Sequence, residues 1–177
     1  TEQIRRFRSV YTAEELDEWF LGLLEAYHKW ADYQVRWQKE RDASMQGLEF
    51  PFPYRPGQRD IVRGVYHAIA SKRQLFVQAP TGVGKTMSTF FPAVRAIGEG
   101  LGEKLFYLTA KTVTRTVAEE AAALLRERGL LFQTLTLTAK EKICPMERPV
   151  CSPEECPYAK GHFDRVNDAV YELWTSR

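Results

Sequence analysis

The 177-residue sequence has few cysteines, almost no net charge and no long apolar run. No stretch approaches the roughly 20 apolar residues that a bilayer-spanning helix needs, which excludes a helical membrane segment. The first thirty residues lack the short apolar core of a secretory signal, so a cytoplasmic protein is expected. The three cysteines, Cys144, Cys151 and Cys156, crowd into one short stretch. A disulfide framework wants an even number spread along a secreted chain. An odd, clustered set points to a metal instead. Basic residues number 25 and acidic residues 23, a net charge of +2. Contact with nucleic acid must therefore come from local clustering of Lys and Arg rather than from the total. Internal repeats and low-complexity tracts are also missing. What is present, 44% hydrophobic, 12% aromatic and 27% charged residues, excludes a disordered tail. It suits one globular domain, or one domain with an appendage.

From about Ala13 to Ser44 the spacing predicts one long helix. Leu16, Phe20, Leu23, Tyr27, Trp30 and Trp37 recur in steps of four and three, interrupted where Gln34 falls. A stripe at this spacing reads as a packing face. Thr12 and Glu15 are spaced as a capping box. Pro51, Pro53 and Pro56 with Gly57 then stop regular structure, so 1–49 is expected as a helical N-terminal segment with its linker. A second helix is expected from Gly57 to Ala70. Leu75–Ala79, Lys104–Thr109 and Phe132–Thr138 read as strands. Helices from Lys85 to about Ile97 and from Thr112 to Arg128 alternate with them. Pro92 is expected to kink the first of these, and Gly129 stands where a helix C-terminal cap belongs. This alternation predicts an α/β domain with a parallel sheet over 50–139. Beyond it, prolines interleave with the cysteines, so 140–177 is expected to begin as a loop and to end in a helix near Asp164–Trp174.

Residues 79–86 read Ala-Pro-Thr-Gly-Val-Gly-Lys-Thr. The general pattern is Gly-x-x-x-x-Gly-Lys-Ser/Thr at a strand-to-helix junction, and only its first glycine is replaced, by Ala79. Backbone N–H groups of such a curled loop, Thr81 to Gly84 here, make a nest for phosphates. Gly82 and Gly84 allow the bend and the close approach. The following helix turns its positive end toward the anion. Lys85 is suited to the outer phosphates of ATP and the Thr86 hydroxyl to Mg²⁺.

Upstream, Tyr54-Arg55-Pro56-Gly57-Gln58 could recognise adenine, with the Gln58 amide complementing the base edge and Tyr54 stacking on its face. A plain proline turn opening a helix is the other reading. The cysteines are spaced by six and four residues, and His162 follows Cys156 by five. That spacing allows a Cys₃His zinc site. A [4Fe–4S] cluster takes four thiolates, and three are present.

Taken in order, these stretches resemble the superfamily 2 helicases, in the variant of the XPD and DinG group of iron–sulfur DNA helicases. The resemblance spans about Phe50 to Arg177. It adds Leu-Thr-Ala-Lys-Thr-Val-Thr-Arg at 108–115, similar to the segment that touches the DNA backbone. It also adds Lys-Ile-Cys-Pro at 142–145 and Cys-Ser-Pro-Glu-Glu-Cys-Pro-Tyr at 151–158, similar to the cluster-binding insertion. The resemblance implies a RecA-like P-loop NTPase fold, present in part. It implies ATP and Mg²⁺ held by Tyr54, Arg55, Gln58, Thr81, Gly82, Val83, Gly84, Lys85 and Thr86, with Lys85 and Thr86 catalytic. It implies DNA contact at Lys111, Thr112 and Arg115, and a [4Fe–4S] cluster on Cys144, Cys151 and Cys156 with a fourth ligand beyond Arg177. A monomer acting 5′-to-3′ on single-stranded and forked duplex DNA, in DNA repair, is the expected whole.

An acidic magnesium motif after the loop is missing; the lone Asp-Glu pair is Asp17-Glu18, ahead of it. The chain is therefore expected to be the front part of a longer protein, binding nucleotide weakly without useful hydrolysis. Two other readings stay open: a non-helicase P-loop ATPase with a structural zinc, and a DNA-binding module whose loop is vestigial.

Overall fold

A computed structural model of the chain describes residues 6, 8–110 and 112–176, without the side chains of 112–114. Six helices follow in order: α1 (Ala13–Gln46), α2 (Gln58–Ala70), α3 (Lys85–Gly98), α4 (Thr112–Glu127), α5 (Lys140–Ile143) and α6 (His162–Thr175). None is long and apolar enough to cross a membrane. The chain divides into two compact units, Ala31–Thr134 and, from both ends of the sequence, Thr1–Trp30 with Leu135–Arg177.

The expected α/β, RecA-like fold with a parallel sheet is overturned. Among the described residues there is no strand, and 73–80, 104–109 and 130–139 carry no regular structure. The reason is hydrogen bonding. An apolar extended run becomes a strand only when its N–H and C=O groups enter a ladder with a neighbour. These runs also leave large side chains uncovered, with Phe76 91% and Leu108 89% exposed. A parallel sheet requires both faces to be covered. The runs instead lean on the helices from one side, through half-buried Leu105, Tyr107 and Phe132.

The Ala31–Thr134 unit is built around α3. Phe90, Phe91, Val94 and Ile97 are buried from it, joined by Ala121, Ala122 and Leu125 of α4. A helix apolar all round belongs in a core. Pro92 does not divide α3, although it removes one backbone donor. The last turn of α1 inserts Met45, which is 0% exposed. Gly98 makes that approach possible, since a Cβ there would stand 2.5 Å from the Met45 Cβ. Gln46 Nε2 donates to the Gly98 carbonyl at 2.5 Å, and Arg95 donates to the carbonyls of Gln46 and Leu48.

Helix ends follow local chemistry. Gly129, at φ 95°, lets its own N–H reach the Arg126 carbonyl at 2.9 Å and the Leu130 N–H reach that of Leu125 at 3.0 Å. That is the paired bond of a left-handed C-terminal cap, with Leu125 and Leu130 both buried beside it. The end of α2 adopts the same pattern with Lys72 at φ 54° where glycine is usual.

In the unit of Thr1–Trp30 and Leu135–Arg177, order is local. The capping box expected at Thr12 and Glu15 is formed. Thr12 N–H donates to Glu15 Oε2 at 2.8 Å, and Glu15 N–H to Thr12 Oγ1 at 3.2 Å. Trp30 meets the edges of Tyr171 and Trp174 of α6 at 5.2 and 5.6 Å, and the Lys29 ammonium lies 3.8 Å from the Tyr171 ring centre.

Candidate functional site

The 79–86 loop joins the extended run 73–80 to α3. Gly82 (φ 85°) and Gly84 (φ 80°) both lie in the left-handed region, where a side chain is strained and glycine is not. These two inversions curl the chain just before α3. Gly84 stands at the N-cap of that 14-residue helix. Its carbonyl accepts the Ser88 backbone N–H at 3.0 Å and the Ser88 hydroxyl at 2.9 Å. The first-turn amides and the positive end of the helix dipole thus open onto the loop.

Lys85 is exposed. Its Nζ donates to the carbonyls of Ala79 at 2.9 Å and Pro80 at 2.8 Å, so the ammonium bridges the loop's own entry. A solvent-facing cation at a helix N-terminus, next to two inverted glycines in the chain, fits a polyphosphate. The Thr86 hydroxyl oxygen sits 3.5 Å from the Tyr107 hydroxyl, at the outer limit of a hydrogen bond. Tyr107 was not among the residues expected from the sequence. Its signal is the alternation over 105–109, where Leu105, Tyr107 and Thr109 are half-buried and Phe106 and Leu108 exposed. A hard oxygen donor at Thr86 suits Mg²⁺. Thr81 is exposed and Val83 half-buried, both on the loop.

The Tyr54–Gln58 segment reaches this loop. The Arg55 guanidinium donates to the Gly82 carbonyl. Gln58 is 3% exposed, and its Oε1 accepts the Arg55 backbone N–H at 3.0 Å. Tyr54 stacks on Phe50 at 4.3 Å, with the Arg59 guanidinium 4.9 Å from its ring centre. Tyr54, Arg55, Gln58 and residues 81–86 all belong to the Ala31–Thr134 unit.

Lys111 lies outside the described residues, and Thr112 opens α4 with its side chain outside them too. Arg115 is half-buried, its Nε 3.6 Å from Glu119 Oε1, without a hydrogen-bond partner among the described residues. Asp17 and Glu18 are exposed on α1.

Cys144 is half-buried, Cys151 exposed and Cys156 buried. Among the described residues no group of three or more His, Cys, Asp and Glu could hold a metal ion. The thiols as placed therefore do not fit a cluster. Nor do they make a tetrahedral zinc site with His162, which opens α6 and packs against Phe163. Lys140 Nζ instead donates to Cys151 Sγ, and that contact holds the ammonium above the usual lysine range.

Residues 55–145 match the DEAD/DEAH box helicase family. Over 47 residues the chain is 45% identical to a probable ATP-dependent helicase of Methanocaldococcus jannaschii. That stretch is 26% of this chain but 7% of the relative, so the similarity spans a small part of the relative's length. No solved structure matches.

Proposed function

This chain belongs to the DEAD/DEAH box helicase family, and we propose that its 79–86 loop binds the triphosphate of ATP with Mg²⁺ in an ATP-dependent DNA helicase. One observation carries the reading. Gly82 and Gly84 invert the backbone immediately before α3, and Lys85 holds its ammonium across the mouth of the resulting curl. Backbone N–H groups of Thr81 to Gly84 are suited to the inner phosphates and Lys85 to the outer ones. Thr86, with Tyr107 beside it, is suited to the magnesium ion. Bound ATP would supply the phosphoryl-transfer energy that drives the motor. Residues 55–145 form the nucleotide-binding part of this assignment.

The finer reading follows the sequence resemblance. The whole protein would move 5′-to-3′ along single-stranded DNA and open forked duplexes in the cytoplasm, as a monomer, using Lys111, Thr112 and Arg115 at the DNA backbone. Residues 1–49, 50–139 and 140–177 would serve as helical lead, motor and the start of an iron–sulfur insertion. The ordered motifs support that reading. The cysteines add no support, since no group able to hold a metal is formed among the described residues, so no step is assigned to a cluster. Iron and acid-labile sulfide in the purified protein are its expected signature; zinc alone would favour a structural Cys₃His site.

The direct test is Lys85→Ala. Affinity for a fluorescent ATP analogue should fall on the order of 100-fold, the loss of a charge-assisted contact to a polyanion. Undiminished binding would overturn the assignment of the loop.

A further inference from the structure

We propose that Tyr107 is a positioning residue for magnesium, keeping the Thr86 hydroxyl off the backbone of α3 and available to the ion. The proposal rests on the nucleotide reading of the phosphate loop. Thr86, Ser88 and Thr89 all carry hydroxyls at the start of α3, and they are engaged differently. Ser88 Oγ donates to the Gly84 carbonyl at 2.9 Å. Thr89 Oγ1 donates to the carbonyls of Lys85 and Thr86, at 3.0 Å each. Both of these hydroxyls are folded back onto the helix. The Thr86 Oγ1 instead meets the Tyr107 hydroxyl at 3.5 Å, a residue 21 positions along the chain. Thr86 and Tyr107 are half-buried and belong to the same unit, Ala31–Thr134.

Threonine in a helix divides between two side-chain conformations, because its hydroxyl can bond a carbonyl one turn earlier. In that bonded conformation its proton is spent on the backbone. A phenol O–H donated into Thr86 Oγ1 competes with this and takes one of the oxygen's two lone pairs. The second lone pair is left for a hard cation, and the threonine proton for a phosphate oxygen. Tyr107 is itself well placed to do this. Its ring packs against the buried cluster that includes Phe90 and Val94, so the phenol is delivered from the core of the unit. Outer-shell partners of this kind orient a metal ligand that would otherwise sample other conformations. Lys85 is held separately, through the carbonyls of Ala79 and Pro80, so its contact with phosphate does not pass through Tyr107. Tyr107 therefore acts on the ion, through Thr86, and leaves metal-free binding of the phosphates alone.

Tyr107→Phe tests this, since it keeps the ring and removes the hydroxyl. Affinity for a fluorescent ATP analogue is measured with magnesium and with EDTA, and the ratio of the two is the gain due to the ion. In Tyr107→Phe that gain should fall about tenfold, the lower end for loss of a ligand-orienting partner, while affinity in EDTA stays within about twofold of the parent. In a Thr86→Ala background the same change should have no further effect, because the hydroxyl it positions is gone. An unchanged gain, an equal loss with and without magnesium, or an undiminished effect in the Thr86→Ala background overturns the proposal and leaves the phosphate-loop reading intact. A parent protein that binds the analogue with no gain from magnesium sinks the proposal together with the role of Thr86. A parent that binds no nucleotide sinks the loop reading as well.

Discussion

Two regions of this protein solve the problem of order differently. The Ala31–Thr134 unit buries Met45, Phe90, Phe91, Val94, Ile97 and Leu125 around one central helix. In the unit of Thr1–Trp30 and Leu135–Arg177, the buried described residue is Cys156, while Leu16, Trp19, Phe20, Leu23 and Tyr27 of α1 stay exposed. The first unit is held by burial of apolar surface. The second is held by a capping box, a small aromatic cluster and helix propensity. The phosphate loop belongs to the first, and a rigid core beneath α3 is what a preformed anion site requires.

The contrast breaks most visibly in the core. Leu125→Ala should cost about 2–5 kcal/mol, whereas Leu23→Ala on the exposed stripe should stay within about 0.5 kcal/mol. Chemical denaturation of the two variants measures both; equal losses would mean that the α1 stripe is covered in solution. Gly98→Ala comes next. Its methyl group meets Met45 and the α1 backbone, and overpacking of this kind costs about 1–3 kcal/mol. A melting temperature equal to the parent's would mean that α1 does not dock there. Thr12→Ala removes one arm of the capping box and should weaken α1 by about 0.5–2 kcal/mol. Circular dichroism should show lost helix with the core transition unmoved. The smallest effect runs the other way. Lys72→Gly relieves a left-handed lysine and should raise stability by up to about 1 kcal/mol. No gain on thermal melting would place the cap in a different conformation.

Legibility divides along the same physical line. The helix starting at Lys85, the cap at Gly129 and the box at Thr12 depend on residues within about five positions, and each is formed as the sequence leads one to expect. The apolar runs 75–79, 104–109 and 132–138 misled. Their composition reports a wish for burial, and β-propensity is largely that same wish, whereas a strand needs a partner that composition does not name. Nothing around Gln58 in the sequence marks it as buried, yet it is 3% exposed with its amide next to Gly84, far along the chain. Lys72 carries no mark of its left-handed backbone, since the residue usual there is glycine.

What the sequence alone determined is the set of short-range features: the register of Gly82, Gly84, Lys85 and Thr86 at the mouth of α3, and the caps and boundaries of the helices. Those are set by backbone dihedral preference and by hydrogen bonds between near neighbours. Only the tertiary structure decided that the extended runs form no described strand, that Gln58 is buried and that the Arg55 guanidinium reaches the Gly82 carbonyl. Each of those depends on contacts between residues distant in sequence, whose energies exist only once the core has brought them together.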